Sequence, residues 1–163
     1  MNVLPFFTWV DGSGLGHSIR DSLWLFPVIE AFHLLGLAVI GGAVLIVNMR
    51  LLGLGLRRQP ASQIARDVKP FMLGSLAVML ISGFLLFSSE AVKCYEHGAF
   101  WFKMTCLAMA IFVTFTVQGK AIEMEDNRGP NFQSKLVAVV AVMLWTGVGI
   151  GGRWIGFSLR SSG

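Results

Sequence analysis

Four apolar runs, at 23–47, 71–88, 100–117 and 136–157, take up about half of this 163-residue chain. A helix that crosses a bilayer needs about 20 predominantly apolar residues, within a range of roughly 17 to 25. All four runs qualify, the second and third at the short end. They are apolar nearly all round, whereas the helices of a soluble all-helical protein normally keep one polar face. Charged residues make up 13% of the chain, against about 25% in an ordinary soluble domain, and mean hydropathy is +0.69. At this length there is no room for a large soluble domain beside the runs. The fold class is therefore all-α: an integral membrane four-helix bundle, up-down-up-down, with both termini on the outer side. The helices are expected at about 23–56, 70–89, 99–118 and 135–157. Residues 1–22 form an outer interfacial segment, and 158–163 an outer tail.

The chain carries a net charge of +4, but the placement of the bases argues against a nucleic-acid partner. Arg50, Arg57, Arg58, Arg66 and Lys69 lie between the first two runs, and Lys120, Arg128 and Lys135 between the last two. The first of these loops decides the orientation, because basic loops stay in the cytoplasm. It should also attract anionic lipid headgroups. The acidic Glu123, Glu125 and Asp126 in the second loop read as a solvated face. Residues 1–10 have no basic start and their apolar run ends at Asp11, so no signal peptide is expected. The first run then serves as an uncleaved anchor. Cys94 and Cys106 cannot build a disulfide framework and are expected as free thiols.

Local signals refine the helices. Asp11 to His17 reads as a turn, Ser22 as the cap of the first helix, and Pro27 falls in its first turns. Pro70 is expected to open the second helix, after a polar stretch at 59–69 that holds one amphipathic turn. Gly147 with Gly151, and Ala38 with Gly42, form small-x-x-x-small patterns suited to close helix packing.

The chemistry concentrates in a few polar residues inside the runs. Glu30 and His33 sit three apart in the first, on one helical face. Ionisable groups inside a spanning helix are rare and carry a functional hypothesis. A rise of about 1.5 Å per residue puts Glu30 at a depth of about 9 Å and His33 at about 13 Å. The same arithmetic places Lys103 at about 5 Å and Arg153 at about 6 Å, which makes those two cations the natural partners of Glu30. A Glu30–Arg153 pair is readable either as a structural lock or as the lining of an outward-facing site. His33 is either hydrogen-bonded to a neighbour, such as a backbone carbonyl or Thr105, or a ligand. Met79 and Met109 fall at similar depth, so one histidine with one or two methionines could hold haem iron or Cu(I). Alternatively the methionines are core filler. A quinone head also suits a pocket of His33, Glu30, Arg153 and Lys103. Tyr95, Phe100, Trp101 and Trp154 would line either ligand, or else form an interfacial belt. Cys94-x-x-His97 offers only two ligands for a surface metal. No nucleophile–base, phosphate-loop or zinc-protease motif is present.

The run Trp24-x-x-Pro27-x-x-Glu30-x-x-His33-x-x-Gly36, followed by Arg50-Leu51-Leu52-Gly53, resembles a family of small bacterial four-helix membrane proteins of unknown function. Tyr95-x-His97-x-x-Phe100-x-x-Lys103 and Gly152-Arg153-Trp154 fit the same pattern. Asn48 stands where the family commonly has aspartate, and His97 where it has asparagine, which argues against His97 as an essential ligand. The resemblance implies a bacterial inner-membrane location and no particular activity. Three functions remain open. One is a membrane redox component binding haem b or a quinone. Another is a structural, anchoring or assembly subunit beside another membrane protein. The third is a protomer of an oligomeric small-solute transporter.

Overall fold

In the computed structural model the described residues are 4–55, 58–129 and 131–161, the side chains of Leu15 and of 157–161 excepted. They form helices and no strand. Two short helices, α1 (Leu4–Asp11) and α2 (Gly14–Asp21), precede the long α3 (Leu25–Leu52). The second span is α4 (Ala61–Ser89), and α5 (Ala91–Glu96) follows it. The third span is built of α6 (Gly98–Phe112), a π-helical turn at Val113–Val117, and α7 (Gln118–Arg128), and the fourth is α8 (Phe132–Ser161). Four helices are long and apolar enough to cross a membrane. This is a membrane protein with an up-down-up-down four-helix bundle. One end carries α1, α2, α5 and the end of α8 and is called here the termini end. The other, where α3 turns into α4 and α7 into α8, is the loop end.

The element ends follow from local chemistry. Leu25 donates its backbone N–H to Ser22 Oγ at 3.2 Å, so the expected cap serves the start of α3. The helix stops at Leu52, short of the expected 56, because Gly53 adopts φ 75°. In that left-handed turn Leu54 N–H reaches back to Met49 O at 2.9 Å, a pattern glycine makes at no steric cost. Pro70 does not open α4 but lies inside it. The helix begins nine residues earlier, at Ala61, where the carboxylate of Asp126 accepts the backbone N–H groups of Ala61 and Ser62 at 2.9 and 3.1 Å. The third span likewise outruns its expected end at 118 and continues to Arg128. The expected tail at 158–163 is helical to Ser161. Its last two residues lie outside the described residues, as do Leu56, Arg57 and Pro130.

The expected interfacial segment at 1–22 is also more than a surface layer. Phe6 and Trp9 are exposed, but Phe7 and Val10 are buried. Phe7 packs among Phe87, Tyr95, Phe100 and Trp101, with ring centroids 5.0–6.2 Å apart. Gly16 brings α2 against α4 so closely that a Cβ there would lie 2.5 Å from Ser88 O.

The core of the bundle is Ile40, Val44, Met72, Met79, Ala110, Trp145 and Val148. α3 packs on α4 and α8, and α6 packs on α8. The third span meets α4 chiefly through α7, beyond the π turn. Gly147 and Gly151 do allow the close approach their spacing suggests: a Cβ at either would lie 3.1 Å from Cys106 Sγ or 3.0 Å from Lys103 Cβ. Ala38 and Gly42 are exposed, and a Cβ on Gly42 would meet nothing within 4 Å.

Candidate functional site

His33 is half-buried on α3, facing α4. Its Nδ1 lies 2.9 Å from Ser82 Oγ. The Ser82 hydroxyl donates its own hydrogen to Val78 O at 2.6 Å, so it can only accept from the ring. That assigns the hydrogen to Nδ1 and leaves Nε2 as a bare acceptor. The backbone of Met79 also acts on the ring. Gly83 makes the room, since a Cβ there would sit 3.2 Å from His33 Cε1. Thr105, an expected partner, instead donates to Trp101 O on its own helix. Ser82 had no signal in the apolar run beyond being one of its few polar residues.

Lys103 enters from α6 and lies along the glycine face of α8, where a Cβ on Gly152 would be 3.4 Å from its Nζ. Its charge acts on His33, so both residues share the termini half of the bundle. Among the described residues Lys103 makes no hydrogen bond or ion pair. Met79 is buried in the core below. Above lies the aromatic cluster, with Phe87 and Phe100 stacked at 5.5 Å. Cys94 and Cys106 are both free thiols. Burial, reinforced by Glu90, pushes the Cys94 thiol up to about 11, which keeps it neutral and a poor metal ligand near pH 7.

Other expected site residues stand apart. Glu30 is exposed on α3 and makes no hydrogen bond or ion pair among the described residues. The expected pair with Arg153 or Lys103 is therefore not made among the described residues: the carboxylate is exposed while Lys103 lies along α8. Arg153 and Trp154 are exposed on α8, where with Gly149 and Ile150 they line an open hollow. Trp154 is thus separate from the Tyr95, Phe100 and Trp101 cluster. Met109 is half-exposed on α6, unlike the buried Met79. His97 donates Nδ1–H to Lys93 O at 3.0 Å. Among the described residues no three His, Cys, Asp or Glu side chains are grouped to hold a metal ion.

A second polar centre, absent from the sequence expectations, lies at the loop end. Asn48 is fully buried on α3, and its amide donates to Val44 O at 2.7 Å. Gln118, buried at the start of α7, donates to Asn48 Oδ1 at 2.9 Å. Half a turn further along α3, Arg50 forms an ion pair with Glu125, whose side chain is 1% exposed. Arg50 also donates Nε–H to Gln59 O at 2.9 Å. The expected solvated face of Glu123, Glu125 and Asp126 is thus corrected at one residue: Glu123 and Asp126 are exposed, Asp126 also capping α4, but Glu125 is buried against Arg50. The π turn sits just before Gln118, and Thr114 within it accepts from Trp145 Nε1 at 3.0 Å.

The chain matches a family of unknown function, DUF6644, over residues 6–158. It belongs to that family. The matched region takes in all four spans and both polar centres. No curated protein and no solved structure matches the chain.

Proposed function

We propose that this DUF6644 protein is a membrane redox component that binds a quinone-type head group in the termini half of its bundle. The observation that carries the reading is His33, held in place by Ser82, with Lys103, which makes no hydrogen bond or ion pair among the described residues, acting on it. A quinone carbonyl accepts a hydrogen bond from Lys103, and a quinol hydroxyl donates one to His33 Nε2. Gly83 lets the His33 ring pack close on α4, and Gly151 and Gly152 let Lys103 lie close along α8, which fixes both groups in place. The loose packing of α6 against α4 suits lateral entry of a lipid-soluble ligand from the bilayer. Haem b ligated by His33 is the second reading, with the buried Met79 of α4 as the candidate second ligand.

Purified protein in mild detergent, extracted with organic solvent, is expected to yield a bound quinone identified by its absorption and mass. A short-chain benzoquinone added to the extracted protein should bind, and His33→Ala should weaken it by about tenfold or more, the worth of one good hydrogen bond. No co-extracted quinone and no binding of the probe would sink the reading. A Soret band in the purified protein, lost in His33→Ala, would replace it with the haem one.

A further inference from the structure

We infer that the loop end of the bundle is a docking surface for the headgroups of anionic phospholipids, whose acyl chains lie along α4 and α8. The inference stands apart from the quinone reading. Charge is divided unevenly along the chain. Segments 50–69 and 120–135, which build the loop end, carry eight of the thirteen Lys and Arg residues and four of the nine acids, whereas the rest of the chain carries five of each. The whole net charge of +4 therefore belongs to the loop end. Two of the four acids there are already committed, Glu125 to Arg50 and Asp126 to the backbone of Ala61 and Ser62. Arg58, Arg66, Lys69, Lys120, Arg128 and Lys135 are all exposed, and none makes an ion pair among the described residues. At the termini end, by contrast, Arg20 pairs with Asp11 and Lys93 with Glu90.

Two of these bases continue apolar stripes that face lipid. Residues four apart share a helical face. On α4, Lys69 heads a stripe of Leu73, Ala77 and Ile81, all exposed. On α8, Lys135 heads Val139 and Met143, also exposed. At a rise of about 1.5 Å per residue the stripes run about 18 and 12 Å from their lysines, against about 15 Å for one leaflet's half of the hydrocarbon core. An acyl chain laid on either stripe brings its phosphate level with the ammonium. A lysine at that boundary keeps its stem on apolar surface and sends its charge to the headgroups. Phe132, 79% exposed one turn before Leu136, adds an apolar foothold at the same level. The opposite end is built differently. Among the described residues every exposed tryptophan, Trp9, Trp24, Trp101 and Trp154, lies there, and tryptophan settles at the headgroup level through its amphipathic ring rather than through charge. Each base near an anionic surface gains about fivefold in association. The loop end thus selects its lipid by charge, anionic over zwitterionic.

The full chain in mild detergent, given an equimolar mixture of phosphatidylglycerol and phosphatidylcholine, should retain the anionic lipid about fivefold or more over the zwitterionic one in native mass spectrometry. Lys69→Gln with Lys135→Gln should cut that preference about fivefold or more, and Lys93→Gln at the termini end should leave it unchanged. Soluble glycerophosphoglycerol should not displace the lipid, since it has no chain to lay on the stripes. Equal retention of the two lipids by the wild type would overturn the inference. So would a preference that survives the loop-end pair, one that Lys93→Gln removes equally, or displacement by the soluble headgroup. Stronger binding of a soluble acidic peptide than of phosphatidylglycerol would give the surface to a protein partner and overturn it too. All three lysines are exposed, so each variant should keep the wild-type circular-dichroism spectrum.

Discussion

The two polar centres of this bundle differ in how completely their groups are matched. At the loop end Asn48 finds Gln118 and a backbone carbonyl, and Arg50 finds Glu125 and Gln59, which leaves Glu125 Oε2 as the one buried oxygen there without a hydrogen bond among the described residues. At the termini end His33 spends one nitrogen on Ser82 and keeps the other, and Lys103 has no partner among the described residues. Matched polar groups inside a bundle fix register and position. Unmatched ones in a spanning helix cost stability and persist where a ligand or partner completes them. The apolar core of Ile40, Val44, Met79, Trp145 and Val148 lies between the centres and keeps them separate.

That contrast predicts a graded series. Arg50→Ala should be the most damaging, because it leaves the Glu125 carboxylate buried without its ion pair, a loss of about 3–5 kcal/mol. Unfolding midpoints in a denaturing detergent titration would register it. Asn48→Ala or Gln118→Ala each strand one buried amide and should cost about 1–3 kcal/mol, while changing both to leucine should cost less than the sum of the two. A double-mutant cycle tests this, and additivity would mean the amides do not work as a pair. Asp126→Ala removes the cap of α4 and should cost about 1 kcal/mol, with Asp126→Asn recovering most of it. His33→Ala should change stability least of all, yet abolish binding of the quinone probe. If it instead unfolds the bundle like Arg50→Ala, the termini-end centre is structural and the contrast fails.

The four spans were legible because apolar length is a property of single segments. Helix ends were less so. The stretch before Pro70 reads as polar loop, and its helicity depends on Asp126, 65 residues away, capping Ala61. The role of Glu125 was hidden for the same reason: three acids in a loop look solvated until Arg50, 75 residues earlier, is brought beside one of them. One clue was available, since Asn48 continues the stripe of Ile40 and Val44 and Gln118 closes an apolar run, so two amides head for the same interior. In the site, His33 and Lys103 stood out as ionisable residues in apolar helices, whereas Glu30 shares a helical face with His33 and yet is exposed nearer the start of α3, which spacing alone does not show.

The π turn at Val113–Val117 makes the third span two helices out of phase with each other. One added residue per such turn rotates everything beyond it by about 100°. Above it α6 answers to α8, with Lys103 and Cys106 against Gly151 and Gly147. Below it α7 still packs on α8 but also reaches α4, and Gln118 at its start meets Asn48 of α3 while Asp126 meets the start of α4. Five residues thus work as a phase shifter: they let one continuous rod serve two different sets of neighbours, and they make the aim of every side chain from Gln118 to Arg128 depend on a residue count rather than on any contact those side chains make.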